Sequence, residues 1–353
     1  MWGKTSQGRS KGLGVFGKSL VTFIGLFIAF ALHADAFCAQ TGGSIKITAG
    51  YGGELGYQAP LWVAHELKLF AKHGMTSELV RIAGGARSTA ALLANALQVS
   101  QSAGVAPVQA NLAGGDLVII ATSTNRPTVS IVGQPKTVKK PQDLVGKTVG
   151  LVGPGEMNTF FFLSALERWG IDPKSVTVLA IPGTQPRLAA LVAGSIDATV
   201  LAPPFSFEAE KYNLTPLADF ASGSDPFPQS GLVVRKELLR NNRDLVKRML
   251  IAYVEAIHVL KTDVETSLPI MKKYMRITDE VIAKRSYEYY SKLFSFPPLT
   301  DEKGIGVVLK FLATQPGGAG AKSAKAEEFF DNSLLQELRK EGFFARLQGG
   351  KGL

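Results

Sequence analysis

Apolar positions along the chain fall into two similar series about 100 residues apart. The first opens at Ile45-Lys46-Ile47-Thr48 and runs to Ala103-Gly104-Val105-Ala106-Pro107. The second opens at Lys147-Thr148-Val149-Gly150 and runs to Leu201-Ala202-Pro203-Pro204. Each reads as a short apolar strand, a Gly-rich loop, an amphipathic helix, a strand, a second helix and a third strand. The ends correspond most closely, with Arg87 to Val99 echoing Arg187 to Ala198. Strands alternating with helices predict parallel sheets flanked by helices, and two such units predict two lobes with a cleft between them.

In the first unit the pattern predicts strands over 44–49, 79–82, 97–102 and 117–122 and helices over 59–73 and 87–95. Pro60 suits a first helical turn and Gly74 a helix end. In the second it predicts strands over 148–152, 176–180 and 198–201 and helices over 159–169 and 185–193, with Gly170 as a stop. Beyond 230 one more strand, 231–234, precedes a helical region. Asp244 to Lys261 places Leu245, Met249, Tyr253, Ala256-Ile257 and Leu260 on one face. Further helices are expected at 264–274, 278–293, 301–313 and 325–341, with a break at 316–320. This region is read as returning to the first lobe. Lobe 1 then comprises 44–127 and 230–345, and lobe 2 comprises 128–229. The chain crosses between them near 126–135 and 222–231, both rich in Pro, Gly and Ser, and two crossovers restrict closure to a bending mode.

The first 36 residues differ from the rest. Lys4, Arg9, Lys11 and Lys18 precede an apolar run from Leu20 to Leu32, then Ala34-Asp35-Ala36 offers small residues at a cleavage spacing. These features predict a secretory signal peptide over 1–36, with an uncleaved anchor as the alternative. The only cysteine, Cys38, stands just beyond. Asp35-Ala36-Phe37 before it is a poor lipoprotein signal, so lipid anchoring is not expected. The folded part then has no disulfide, thiol nucleophile or cysteine metal site, and neither cofactor nor metal is expected. The net charge of +10 falls to +7 without the leader. Its cations are spread over helices without interleaved aromatics, so no nucleic-acid partner is expected.

Several phrases resemble the substrate-binding proteins of nitrate-, sulfonate- and taurine-type ABC importers. They are Gly56-Tyr57-Gln58-Ala59-Pro60-Leu61-Trp62-Val63-Ala64, Leu69 to Gly74, Asp143 to Gly150, Pro154-Gly155, Leu166 to Pro173, and Ala193 to Ala198 with Pro203. The match covers roughly 44–300, and the same superfamily includes binders of the thiamine pyrimidine precursor. The resemblance implies an α/β, two-lobed, periplasmic-binding-protein-like (type II) fold with a helical C-terminal region. It also implies a monomeric periplasmic protein that takes a small-molecule ligand to a membrane permease. One departure is Asn95-Ala96-Leu97-Gln98, where the family's "G-x-x-D" phrase is expected.

Ligands in such folds sit beyond the carboxyl ends of the strands. Tyr51, Gly52, Tyr57 and Gln58 fall in the first loop, and Gly155, Glu156, Met157, Asn158 and Thr159 where the second-lobe helix begins. Ser102 and Gly104 end the third strand, facing Pro203 and Phe205 in the other copy, and Asn125 lies at the first crossover. These fourteen are the candidate ligand residues. Glu54 is read as a solvated loop residue, Arg87 and Arg187 as surface charges, and Asp197 as a structural tie. No Lys or Arg falls in the loops 51–58, 102–106, 154–159 or 203–207, which argues against an anion held by side-chain ion pairs. The histidines are His33, His65, His73 and His258, none in a cleft loop. With Ser-His-Asp and His-Glu-x-x-His patterns absent, an enzyme is not expected. The alternatives are a periplasmic sensor or adaptor, and a thiamine-pyrimidine-synthase-like enzyme.

Overall fold

A computed structural model describes residues 44–223, 225–315 and 318–349. The expected leader and Cys38 lie outside them. Ten strands are described: β1 (Ile45–Tyr51), β2 (Met75–Arg81), β3 (Val99–Ser102), β4 (Leu117–Thr124), β5 (Ser130–Gly133), β6 (Thr148–Leu151), β7 (Thr177–Ala180), β8 (Ala198–Leu201), β9 (Thr215–Asp219) and β10 (Ser230–Arg235). The helices of the repeated units are α1 (Ala59–Glu66), α2 (Leu69–Lys72), α3 (Gly85–Leu93), α4 (Val105–Leu112), α5 (Met157–Trp169), α6 (Thr184–Val192) and α7 (Phe205–Ala209). The C-terminal region adds α8 (Lys236–Asn241), α9 (Arg243–Thr262), α10 (Val264–Met275), α11 (Glu280–Leu293), α12 (Glu302–Leu312), α13 (Ser333–Lys340) and α14 (Phe343–Gly349).

The strands form two five-stranded sheets with one topology. The first runs β2-β1-β3-β10-β4 and the second β7-β6-β8-β5-β9. In each, three parallel strands come from the repeated unit, and the fourth strand is antiparallel to both neighbours. That strand is β10 in the first sheet and β5 in the second. Each therefore lies directly across a crossover from the other sheet: β5 follows residues 125–129, and β10 follows 220–229. The first crossover is shorter than expected, because Ser130–Gly133 pairs with β8 and β9.

The duplication extends to individual contacts. A methyl at Gly50 would lie 2.6 Å from Leu97, and one at Gly150 would lie 2.6 Å from Ile196, so each first strand admits the next turn only without a side chain. Asp197 accepts a hydrogen bond from the Thr148 amide at 2.9 Å, as a structural tie should. Gln98 accepts one from the Thr48 amide at 2.8 Å. The missing acid of the first copy is thus replaced by an amide oxygen with the same partner.

Helix α1 is apolar and buried from Ala59 to Ala64, with Trp62 perpendicular to Tyr51 and stacked on Tyr274. It packs on α9, whose buried face runs from Val246 to Leu260. The single helix expected over 59–73 breaks after Glu66, where Lys68 takes a left-handed conformation with φ 54°. The helix expected over 325–341 is shorter, running only over α13, and α14 follows it as a separate helix. No helix among the described residues is long and apolar enough to cross a membrane.

Candidate ligand cleft

Between the sheets lies a cavity of about 80 Å³. The first lobe contributes Gly52 to Leu55, Tyr57, Gln58, the Ala83–Gly85 turn, Ser88, and the end of β3. The second contributes Val152, Glu156, Met157, Asn158, Gly183, Thr184 and Arg187. Glycines at the turns leave amides bare: Gly84 (φ 100°) and Gly183 (φ 94°) precede α3 and α6 in equivalent places.

Gln101 fixes the first wall. Its side chain accepts from the Leu61 amide and donates to the Tyr57 carbonyl at 2.7 Å and to Ser230 at 2.8 Å. Tyr57 is thereby set edge-on to Tyr290, 6.2 Å between centroids. Burial raises its phenol well above the ordinary range, so it stays protonated and able to donate. Gln58 is 3% exposed and its Oε1 has no partner in the protein.

Arg187 dominates the second wall and corrects its reading as a surface charge, being 1% exposed. Its guanidinium donates to the carbonyls of Ile181 and Gly183 at 3.1 and 3.0 Å and to Thr184 at 3.3 Å, while Nε has no partner. Burial lowers its pKa to about 10, so it remains a cation at neutral pH. Counted from the glycines that precede α3 and α6, the counterpart of Arg187 is buried Ser88 rather than exposed Arg87. Aligning the two arginines hides this. The inference that no cation serves the cleft also fails, because Arg187 reaches it from a helix rather than from the loops considered.

Glu54 is likewise not a solvated loop residue. It is 8% exposed and paired with Arg81 at 2.9 Å. Glu156 reaches from the second lobe to accept from the Gly85 and Ala86 amides at 2.8 and 3.1 Å.

Of the fourteen candidate residues, Gly52, Tyr57, Gln58, Ser102, Glu156, Met157 and Asn158 line the cavity. The other seven stand outside its wall. Tyr51 packs against Trp62 and Tyr274. Gly104 is pressed on Pro228 and donates to its carbonyl. Asn125 donates to the Leu299 carbonyl at 2.7 Å and accepts from the Asp301 amide, which ties the crossover to the approach to α12. Gly155 faces Gln109, and Thr159 donates to the Gly153 carbonyl. The Pro203 carbonyl accepts from the Tyr290 hydroxyl, and Phe205 lies in the second lobe's apolar cluster.

The family model described as "NMT1/THI5 like" matches residues 56–265. A candidate binding protein of Brucella abortus (strain 2308) is 26% identical over 262 residues, covering 72% of this chain and 79% of that protein. A Bordetella bronchiseptica RB50 protein superposes with TM-score 0.75 at 19% identity, covering 84% of this chain and 97% of that one. The alkanesulfonate-binding protein of Xanthomonas axonopodis pv. citri, bound to MOPS, gives 0.65 at 17% identity, covering 80% and 95%. The periplasmic nitrate-binding protein of Synechocystis PCC 6803 gives 0.65 at 15%, covering 84% and 88%. The fold is the two-lobed periplasmic-binding-protein type that the sequence resemblance implied, and by the extent of its match the chain belongs to the NMT1/THI5-like family.

Proposed function

We propose that this chain is an exported solute-binding protein that captures a small organic molecule or anion between its lobes and delivers it to the permease of an ABC importer. The solute classes are sulfonate, nitrate-like or thiamine-precursor-like, and the setting is the periplasm. The observation that carries this reading is the interlobe cavity, lined from one side by Gln58 and from the other by Arg187, two buried side chains whose Oε1 and Nε have no protein partner. Buried polar groups are normally satisfied, so orphans on opposing walls fit a solute that bonds both. We assign lobe 1 to 44–127 with 230–345 and lobe 2 to 128–229. The ligand contacts are assigned to Gly52, Tyr57, Gln58, Ser102, Met157, Asn158 and Arg187. A ligand touching both walls stabilises the closed arrangement, and closure is what a permease reads. Binding rather than catalysis is favoured because no histidine among the described residues lines the cavity. The names of the sulfonate- and nitrate-binding neighbours support the same reading.

A melting screen of the mature protein against sulfonates, nitrate, dicarboxylates and pyrimidines tests this. A ligand at a hundred times its Kd adds about 2.7 kcal/mol, or roughly 5 °C. A rise with at least one class is expected. No rise with any of them contradicts the reading.

A further inference from the structure

Glu156 occupies the N-cap position of α5, yet its side chain makes no capping hydrogen bond there. It leaves its own helix uncapped and crosses the cleft instead. Both carboxylate oxygens accept amides at the start of α3, where bare N–H groups and the positive helix end favour an anion. The seat is shaped for it: a methyl at Gly84 would lie 2.8 Å from Oε1. At 9% exposure this contact is largely shielded from solvent. The ion pairs between α11 and the α7 region, Arg285–Glu210 and Lys211–Asp279, are exposed and contribute little to closure by themselves. Arg187, which lines the same cavity, is a buried cation whose Nε has no protein partner.

We propose that Glu156 is an internal occupant of the cleft. Its carboxylate fills the Gly85–Ala86 amide site, holds the empty lobes together, and exchanges with the carboxylate or sulfonate group of an incoming solute. The exchange step rests on the solute-binding reading; the latch does not. An internal competitor lowers apparent affinity by the fraction of molecules in which it is seated, so removing it raises affinity.

The test uses the mature protein with Cys38→Ser and spin labels at Arg87→Cys and Gln185→Cys, both exposed and on opposite sides of the cleft. Interlobe distance is measured without ligand in Glu156 protein, in Glu156→Ala and in Glu156→Gln, with far-UV circular dichroism confirming the fold. Glu156→Gln keeps the shape and one acceptor, so it covers the case of an unstable alanine variant. Glu156 protein is expected to give one short distance, the alanine variant a longer and broader distribution, and the glutamine variant an intermediate one. Calorimetric titration with methanesulfonate and with acetate should show affinity rising about tenfold in Glu156→Ala. Equal distances in all three proteins overturn the proposal whatever they bind. An opened variant with no gain for either probe overturns the exchange.

Discussion

Replacing Arg187 by methionine keeps most of the side chain's apolar volume and removes the guanidinium. Burial, partly offset by Tyr57 and Glu156, holds the pKa at about 10 against an ordinary 12.5, a net cost to the charged form of about 3 kcal/mol at 1.36 kcal/mol per unit. The three hydrogen bonds to Ile181, Gly183 and Thr184 return about 1.5–3 kcal/mol each, because the donor is charged. Their loss, less the relieved burial cost, leaves a net destabilisation of about 3 kcal/mol. For a chain of this size that is roughly a 6 °C drop in Tm. Arg187→Lys keeps the charge but cannot reach three acceptors from one ammonium, so it should fall between the two. Urea unfolding followed by circular dichroism measures both variants. A loss below about 1 kcal/mol for Arg187→Met would refute the idea that the guanidinium ties down the turn before α6.

Two other perturbations follow from the packing. Gly56→Ala would drive a methyl into the Tyr290 ring, which cannot retreat because its hydroxyl is held by the Pro203 carbonyl; a loss of about 3 kcal/mol is expected in chemical denaturation. Glu255 is buried, which alone raises its pKa, but hydrogen bonds from His73 and Lys72 outweigh this and hold it below the ordinary 4.5. A depressed carboxyl contributes stability above its unfolded pKa and loses it as pH falls through the folded value. Glu255→Gln should therefore cost about 1–2 kcal/mol near pH 6, with the gap to the Glu255 protein closing in paired unfolding curves as pH falls below the ordinary carboxylate range.

The repeat was legible because strand alternation, helix spacing and glycine stops are local signals. Even the change from Asp197 to Gln98 was visible, though not its outcome: either side chain can accept from the first-strand amide. The break at Lys68 was not legible, since the apolar spacing runs straight through it. β5 was missed because a four-residue strand that begins with Ser130 and ends with Gly133, between Pro127 and Pro135, reads as a linker until β8 and β9 are known to receive it. At the cleft, loop positions such as Tyr57, Gln58 and Asn158 were accessible to topology, because sheet ends open there. Arg187 was not: its burial depends on a turn 99 residues from the equivalent Gly84, and only counting from Gly183 sets the register. Glu54 and Glu156 depended on partners in other elements, Arg81 and the Gly85–Ala86 amides, which loop composition does not reveal.

Gln58→Leu tests the central claim most directly. The orphaned Oε1 costs the ligand-free protein stability, so an apolar replacement should leave its Tm unchanged or raise it. With the solute that stabilises the parent protein, calorimetric titration should show one site per chain and an affinity at least about tenfold weaker in the variant. Undiminished binding by a stable variant would place the solute somewhere other than this cleft.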